Sequence, residues 1–237
     1  MRSLLIVAAF VLLSCTDGFA RTVRTAHFAI TLNDRGDASR VADALERAYR
    51  DVRTYGLRLP STINVTIHPT TTEFAARLGA SRMHIAVVRG TTVHLQPVDV
   101  LTRLGDIDRA LTHELVHVAL SGAVARLPRW LCEGLAMNVA GERHPVEGSY
   151  ASTLGLDRDL SGAREYSRLR RAYGSAERLT RHLIATIGRE RTLEALRLIA
   201  AGHSSQDAFR KAAAIDLDAW SEQSLSKQKS ALSRQQR

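Results

Sequence analysis

The feature that most constrains the fold is a change in the spacing of apolar residues near Asp106. Before this point, stretches in which apolar and polar residues alternate, as in Ile63 to Ile67, are interspersed with helical patterns. After it, the three- and four-residue spacing typical of helices continues almost to the end. We therefore predict an α+β fold, with a small mixed lobe of strands and helices over residues 21–122 and a helical lobe over 123–225.

The boundaries of the individual elements follow from the same spacing and from the glycines and prolines between them. Strands are predicted at residues 25–32, 63–67, 84–88 and 91–95, the last two joined as a hairpin at Arg89-Gly90. Helices are predicted at 37–55, 70–78, 106–120, 128–140, 163–186, 189–201, 204–213 and near 216–226. The Ser-, Lys- and Gln-rich residues 226–237 are expected to form a polar tail.

The first residues have the pattern of a signal sequence over residues 1–20. Arg2 precedes an uninterrupted apolar run from Leu4 to Leu13, which as a helix would span about 15 Å, or half of a bilayer's hydrocarbon core. The segment Leu12-Leu13-Ser14-Cys15 resembles a lipobox, which predicts cleavage before a lipid-anchored Cys15. Gly18-Phe19-Ala20 resembles an ordinary cleavage site instead. The protein is expected to be exported, either as a lipoprotein on the periplasmic side of a bacterial membrane or as a soluble periplasmic or secreted form.

Composition indicates a single globular domain over residues 21–225. Hydrophobic residues make up 45% of the chain and charged residues 24%, proportions typical of globular rather than disordered proteins. The net charge is +9, but the basic residues are spread along helices and are not interleaved with aromatics, so no nucleic-acid binding is expected. A solvated basic surface, or attraction to anionic lipid or envelope polymer, accounts for the charge.

The most informative segment is His113-Glu114-Leu115-Val116-His117. Residues four apart lie one turn above each other on the same face of a helix, so the two imidazoles can bind one metal ion. Glu114 lies on an adjoining part of that face. Its carboxylate can act as a general base toward a water molecule at the metal without being a ligand.

A second segment, Leu127-Pro128-Arg129-Trp130-Leu131-Cys132-Glu133-Gly134, supplies a third ligand. Pro128 suits the first turn of a helix, and the intervening turn at Gly122 allows this helix to come back toward the first. Glu133 then completes a set of three protein ligands that leaves a fourth position for water, as in catalytic zinc sites. Cys132, the only cysteine besides Cys15, is expected to be a small buried residue rather than a ligand.

The HExxH sequence followed by P-x-W-x-x-E-G-x-A resembles the gluzincin branch of zinc metallopeptidases, specifically the bacterial peptidase-MA-like (thermolysin-like) domain family. His27-Phe28, Ala172-Tyr173-Gly174 and Gly188-Arg189-Glu190 are similar to other parts of that family. The resemblance implies a zincin-like fold and Zn²⁺-dependent hydrolysis of peptide bonds. It also implies that His113, His117 and Glu133 bind the metal and that Glu114 is the general base.

One position departs from the family pattern. Several gluzincins have a carboxylate four residues after the third ligand, where it orients a metal-bound histidine, but this chain has Met137 there. We expect that support to come from Asp106, Asp108 or a backbone carbonyl. Histidines 84 and 94 are expected to occupy ordinary strand positions rather than to bind metal.

The resemblance also suggests how a substrate would be held. Tyr173 is the first candidate for the donor to the developing oxyanion, ahead of Tyr166 and His182. The strand Thr91 to Leu95 is expected to be the sheet edge that pairs with an extended peptide. We expect an enzyme acting on peptide or protein substrates; the alternative is a catalytically idle zincin-like domain that binds peptide or cell-envelope components.

Overall fold

The computed structural model describes residues 21–32, 37–80, 84–145, 148–162 and 165–235. The predicted signal sequence, both of its cleavage sites and Cys15 lie outside these ranges, so the leader and the lipid anchor stay predictions. Within the described ranges, no helix combines the length and the apolar character needed to cross a membrane.

A mixed sheet forms the N-terminal part of the protein. Its strands among the described residues are β1 (Arg21–Arg24), β2 (Phe28–Leu32), β3 (Ile63–Ile67), β4 (Ala86–Arg89) and β5 (Thr92–Leu95). The order across the sheet is β1-β2-β3-β5-β4. The central pairs β2–β3 and β3–β5 are parallel, whereas β1 and β4 are added antiparallel at the two edges.

This order corrects the expectation that Thr91 to Leu95 forms the sheet edge. Strand β5 is internal because β3 pairs with one of its sides and β4, the other half of the predicted hairpin, pairs with the opposite side. The edge is therefore β4, which the sequence also predicted as a strand but not as the outermost one.

Helices fill the rest of the chain. Those of the described residues are α1 (Ser39–Tyr55), α2 (Thr71–Leu78), α3 (Val98–Thr102), α4 (Ile107–Leu120), α5 (Arg129–Ala140), α6 (Thr153–Gly162), α7 (Tyr166–Ile187), α8 (Arg189–Ala200), α9 (Ser205–Ala213) and α10 (Leu217–Gln235). The predicted α+β class is confirmed. Strand β1 and helices α3 and α6 were not predicted from the sequence.

The last helix is longer than predicted, because α10 continues through Gln235 instead of ending near residue 226, and so includes most of the predicted polar tail. Among the residues of α10 whose burial the structure describes, the last buried apolar one is Leu225, and most of those that follow it are exposed. Lys, Gln, Ala and Arg all have favourable helix propensity, so these residues extend a helix that is already anchored by its first turns.

One apolar core connects the sheet to the helices and fixes the position of α4 and α5. Helix α4 packs against α1, and α5 packs against both α4 and α7. The buried residues Leu111, Leu115, Trp130 and Leu135 belong to this core. Fully burying a side chain of this kind contributes about 1.5–3 kcal/mol, so this packing contributes several kcal/mol to holding the two helices together.

Candidate metal centre

Helix α4 presents His113 and His117 on the face that is turned toward α5. The helix begins where the Asp106 carboxylate accepts a hydrogen bond from the backbone N–H of Arg109 at 3.0 Å. The imidazoles lie one turn apart, with ring centroids separated by 5.0 Å. Both rings therefore point to the same side of α4, as the four-residue spacing predicted.

Glu133 enters that space from α5. The start of α5 is held by Asp157 of α6, whose carboxylate accepts hydrogen bonds from the backbone N–H groups of Arg129 (3.1 Å) and Trp130 (2.6 Å). These are among the N–H groups that a helix leaves without intrahelical partners at its first turn. With Trp130 buried beside them, the helix start is fixed, and Glu133 lies one turn further on with only 3% of its surface exposed.

The three side chains meet at a spacing that suits a metal ion. Glu133 Oε2 lies 3.5 Å from His113 Nε2 and 3.6 Å from His117 Nε2. Ligand atoms bound at about 2.0–2.2 Å to a tetrahedral zinc ion are about 3.3–3.6 Å apart. The three ligand atoms all lie within 4.8 Å of one another. His113, His117 and Glu133 therefore form a cluster that could bind a metal ion.

The charges of these groups are balanced within the cluster. Burial tends to lower the pKa of His113, but contacts with Glu133 and Glu142 outweigh it and raise that pKa to about 9. Burial likewise opposes ionisation of Glu133, yet its contacts with His113 and His117 hold its pKa well below the usual range. A histidine binds metal in its neutral form, so a divalent cation at this cluster would displace protons from the imidazoles.

The partner of His113 is not one of the residues expected from the sequence. Its Nδ1–H donates a hydrogen bond to Glu142 Oε1 at 2.9 Å. Asp106 instead caps α4, and Asp108 forms an ion pair with a side chain of α1. Asp106 and Asp108 lie at the start of α4, where the first caps the helix and the second pairs with α1, so neither is the hydrogen-bond partner of His113. Glu142 is therefore the carboxylate that contacts the non-cluster nitrogen of His113.

Cys132 and Arg129 also contact the cluster. Cys132 is buried, as predicted, and its Sγ lies 3.6 Å from His117 Nδ1. Arg129 Nη2 donates to Glu133 Oε1 at 2.9 Å. Because Oε1 is bound in this way, Glu133 presents Oε2 alone to the two imidazoles.

An open cleft of about 460 Å³ leads to the cluster. Its floor contains the three candidate ligands together with Glu114, and one wall is the edge strand β4 with Ala86, Val87 and Val88. Glu114 is half-buried there, so its carboxylate is positioned to contact a molecule beside the cluster.

Among the three candidates for an oxyanion donor, Tyr173 is the one that lines this cleft. Burial and the nearby negative charge of Glu133 raise the pKa of its hydroxyl, which therefore stays protonated and able to donate. Tyr166 is 62% exposed on the surface, and His182 stacks on Trp220 with ring centroids 5.2 Å apart.

The two histidines that were predicted to lie in strands, His84 and His94, are not part of the candidate metal-binding cluster. His94 lies within β5, as predicted, with its Nδ1 3.3 Å from His68 Nε2. His84 precedes β4 instead of lying in the strand. Its backbone carbonyl accepts a hydrogen bond from Gln96, and it lines the mouth of the cleft.

Sequence reasoning did not identify Glu142 or Arg129 as residues of this site. The sequence contains one indication near Glu142: Gly141 is typical of a helix end. A helix end does not reveal where the side chain of the next residue points, so Glu142 could not be assigned from it. No family model matches the chain, and no match is found among curated proteins.

Proposed function

We propose that this protein is an exported zinc-dependent peptidase of the gluzincin type. The observation that carries the proposal is the spacing of His113 Nε2, His117 Nε2 and Glu133 Oε2 at the floor of an open cleft that also contains Glu114. Two imidazoles and one carboxylate are a donor set typical of catalytic zinc sites. The export part of the proposal rests on the leader sequence alone.

A bound zinc ion would act as a Lewis acid that activates water for attack on a peptide carbonyl. The residues of the chain have separate tasks around it. His113, His117 and Glu133 hold the ion, and Glu114 accepts a proton from the attacking water. Tyr173 donates a hydrogen bond to the oxygen on which negative charge develops.

The substrate in this proposal is an extended segment of peptide or protein. Strand β4 is the outer strand on the side of the cleft, and its residues form one of the walls. A peptide that lies along an edge strand can form backbone hydrogen bonds irrespective of its side chains. Its scissile bond would then pass over the cluster.

The alternative, a catalytically idle domain that binds peptide, is less well supported. A site that only holds metal has no need of Glu114, whose half-buried carboxylate adjoins the ligands. A missing carboxylate at Met137 would by itself favour the idle domain, but Glu142 supplies a carboxylate to His113 at 2.9 Å.

Two variants separate the proposed ligands from the proposed base. Glu133→Ala removes one of three ligands, so zinc binding and activity should both be lost. Glu114→Gln keeps the shape of the side chain but cannot accept a proton, so zinc should stay bound while the rate falls by roughly 10²- to 10⁴-fold. Zinc content and cleavage of a mixed peptide library, with and without chelator, measure both effects.

A matched control is Glu190→Gln, because the Glu190 side chain is 75% exposed on α8, away from the cleft; it should behave as the wild type. Tightly bound zinc in Glu133→Ala would contradict the ligand assignment. Full activity in Glu114→Gln would contradict the peptidase mechanism, and zinc binding without cleavage of any peptide by the wild type would favour the idle domain.

A further inference from the structure

Glu142 reaches His113 because of the way in which α5 ends. The helix stops at Gly141, which has a φ of 70°, a conformation that glycine adopts without the strain imposed on other residues. The backbone N–H of Glu142 donates to the carbonyl of Met137 at 2.9 Å, which closes the terminal turn. The chain therefore reverses at the end of the same helix that carries Glu133, and only 20% of the Glu142 side chain is exposed.

The two carboxylate oxygens of Glu142 have different partners. Oε1 accepts the hydrogen bond from His113 Nδ1 at 2.9 Å, and Oε2 lies 3.4 Å from His144 Nε2. Because an ionised carboxylate only accepts, the Nδ1 of His113 must carry the hydrogen. The lone pair of a neutral His113 is then on Nε2, the atom that lies 3.5 Å from Glu133 Oε2.

The second partner, His144, connects Glu142 to Tyr173. The ring of His144 stacks on the ring of Tyr173, with centroids 6.0 Å apart and planes inclined by 22°. Both residues line a cavity together with His113, Glu114 and Glu142. One carboxylate thus contacts a candidate metal ligand on one side and, through His144, supports the ring of the candidate oxyanion donor on the other.

We propose that Glu142 is a positioning residue that orients His113 for the metal and His144 against Tyr173. The inference rests on the metal site of the proposed function. Glu142 is not a ligand in this assignment, because its oxygen is bound to Nδ1 of His113 and the metal would be bound at Nε2. It takes the place of the carboxylate that the chain lacks at Met137, but it comes from the turn after α5.

The test is the affinity for Zn²⁺, measured by competition with a chelator of known affinity. Loss of a carboxylate that orients a ligating histidine typically weakens metal binding by about 10- to 100-fold, and we expect a loss in this range for Glu142→Ala. Glu142→Gln keeps a carbonyl oxygen that can accept from Nδ1–H, so it should restore most of the affinity. Thermal unfolding without metal checks that each variant is folded.

Two further variants distinguish positioning from a general effect on the fold. Glu190→Ala removes an exposed carboxylate on α8 and should leave the zinc affinity unchanged. His144→Ala removes the partner of the other oxygen, so it should keep zinc affinity within about threefold while lowering kcat, with little change in KM, through loss of the support for Tyr173. The absorption spectrum of the Co²⁺-substituted protein should change in Glu142→Ala and stay as in the wild type in His144→Ala.

The outcomes separate this inference from the proposed function. If the wild type binds zinc and Glu142→Ala binds it equally tightly, the positioning role is wrong while the metal site stands. The same holds if Glu142→Gln loses as much affinity as Glu142→Ala, since the retained acceptor would then be without effect. Failure of the wild type to bind any zinc would overturn the proposed function, and this inference with it.

Discussion

Replacing Gly134 with alanine should destabilise the protein, although alanine is ordinarily the better residue inside a helix. Gly134 follows Glu133 on α5 and faces α7. A methyl group at this position would lie 2.4 Å from the backbone carbonyl oxygen of Ala176 and 2.1 Å from Thr180 Oγ1. The threonine hydroxyl can rotate away, but the carbonyl and Thr180 Cβ, which would lie 2.8 Å from the methyl group, move only with α7.

The size of the effect follows from this overlap. Ordinary van der Waals contact begins at 3.4 Å, so α5 and α7 would have to separate by about 1 Å. Overpacking a core costs about 1–3 kcal/mol, and the upper end applies because Ala176 and Thr180 are fully buried. The better helix propensity of alanine offsets about 1 kcal/mol. The net loss of about 2 kcal/mol corresponds to a decrease in Tm of about 4–8 °C.

Thermal and denaturant-induced unfolding of Gly134→Ala measures this loss. Gly155→Ala is the control, because Gly155 is also helical but the nearest atoms to an added methyl group are 3.5 Å away; it should be neutral or slightly stabilising. Since Tyr173 lies on α7 and Glu133 on α5, Gly134→Ala should also reduce peptide cleavage more than zinc content. A Tm equal to or above that of the wild type would refute the packing argument.

Two further predictions concern single hydrogen-bonding groups. Tyr173→Phe should lower the rate of hydrolysis by about 10²-fold with unchanged zinc content, whereas Tyr166→Phe, on the surface, should not; equal rates in both variants would contradict the role of Tyr173 as oxyanion donor. Burial opposes ionisation of Asp159, but hydrogen bonds from Tyr150 and Arg168 hold its pKa below the usual range. Its stabilisation is therefore present above pH ~4 and lost as the pH falls through the lower folded-state pKa. Asp159→Asn should reduce the free energy of unfolding by about 1.5–3 kcal/mol at pH 7, and denaturant unfolding should show that the difference shrinks near pH 3; an equal loss at both pH values would contradict this assignment.

Elements in which apolar residues recur at a clear strand or helix spacing were predicted within a few residues of their observed bounds. Strand Ile63–Ile67 agrees at both ends, and its alternation of buried and less buried residues is the pattern in the sequence. Helix α4 was predicted over 106–120 and observed over Ile107–Leu120. Strand β1 was missed because Val23 is its only apolar residue, so it has no alternation, and helix α3 was missed because five residues are too few for a helical period to be recognised.

The face on which His113 and His117 lie was determined by the sequence itself. Four residues make slightly more than one turn of an α-helix, so the two rings face the same space wherever the helix is placed. The same local rule puts Glu114 beside them. The candidate ligand pair and the candidate base therefore needed no knowledge of the tertiary structure.

Only the tertiary structure decided what surrounds those side chains. It made β4 the edge strand, brought Asp157 to the start of α5, and directed Glu142 rather than Asp106 or Asp108 to His113. Each of these outcomes is a contact between segments distant in the chain, which no local spacing encodes. The geometry of the candidate site thus depends on how the helices pack, because packing alone sets the distances between groups that different elements carry.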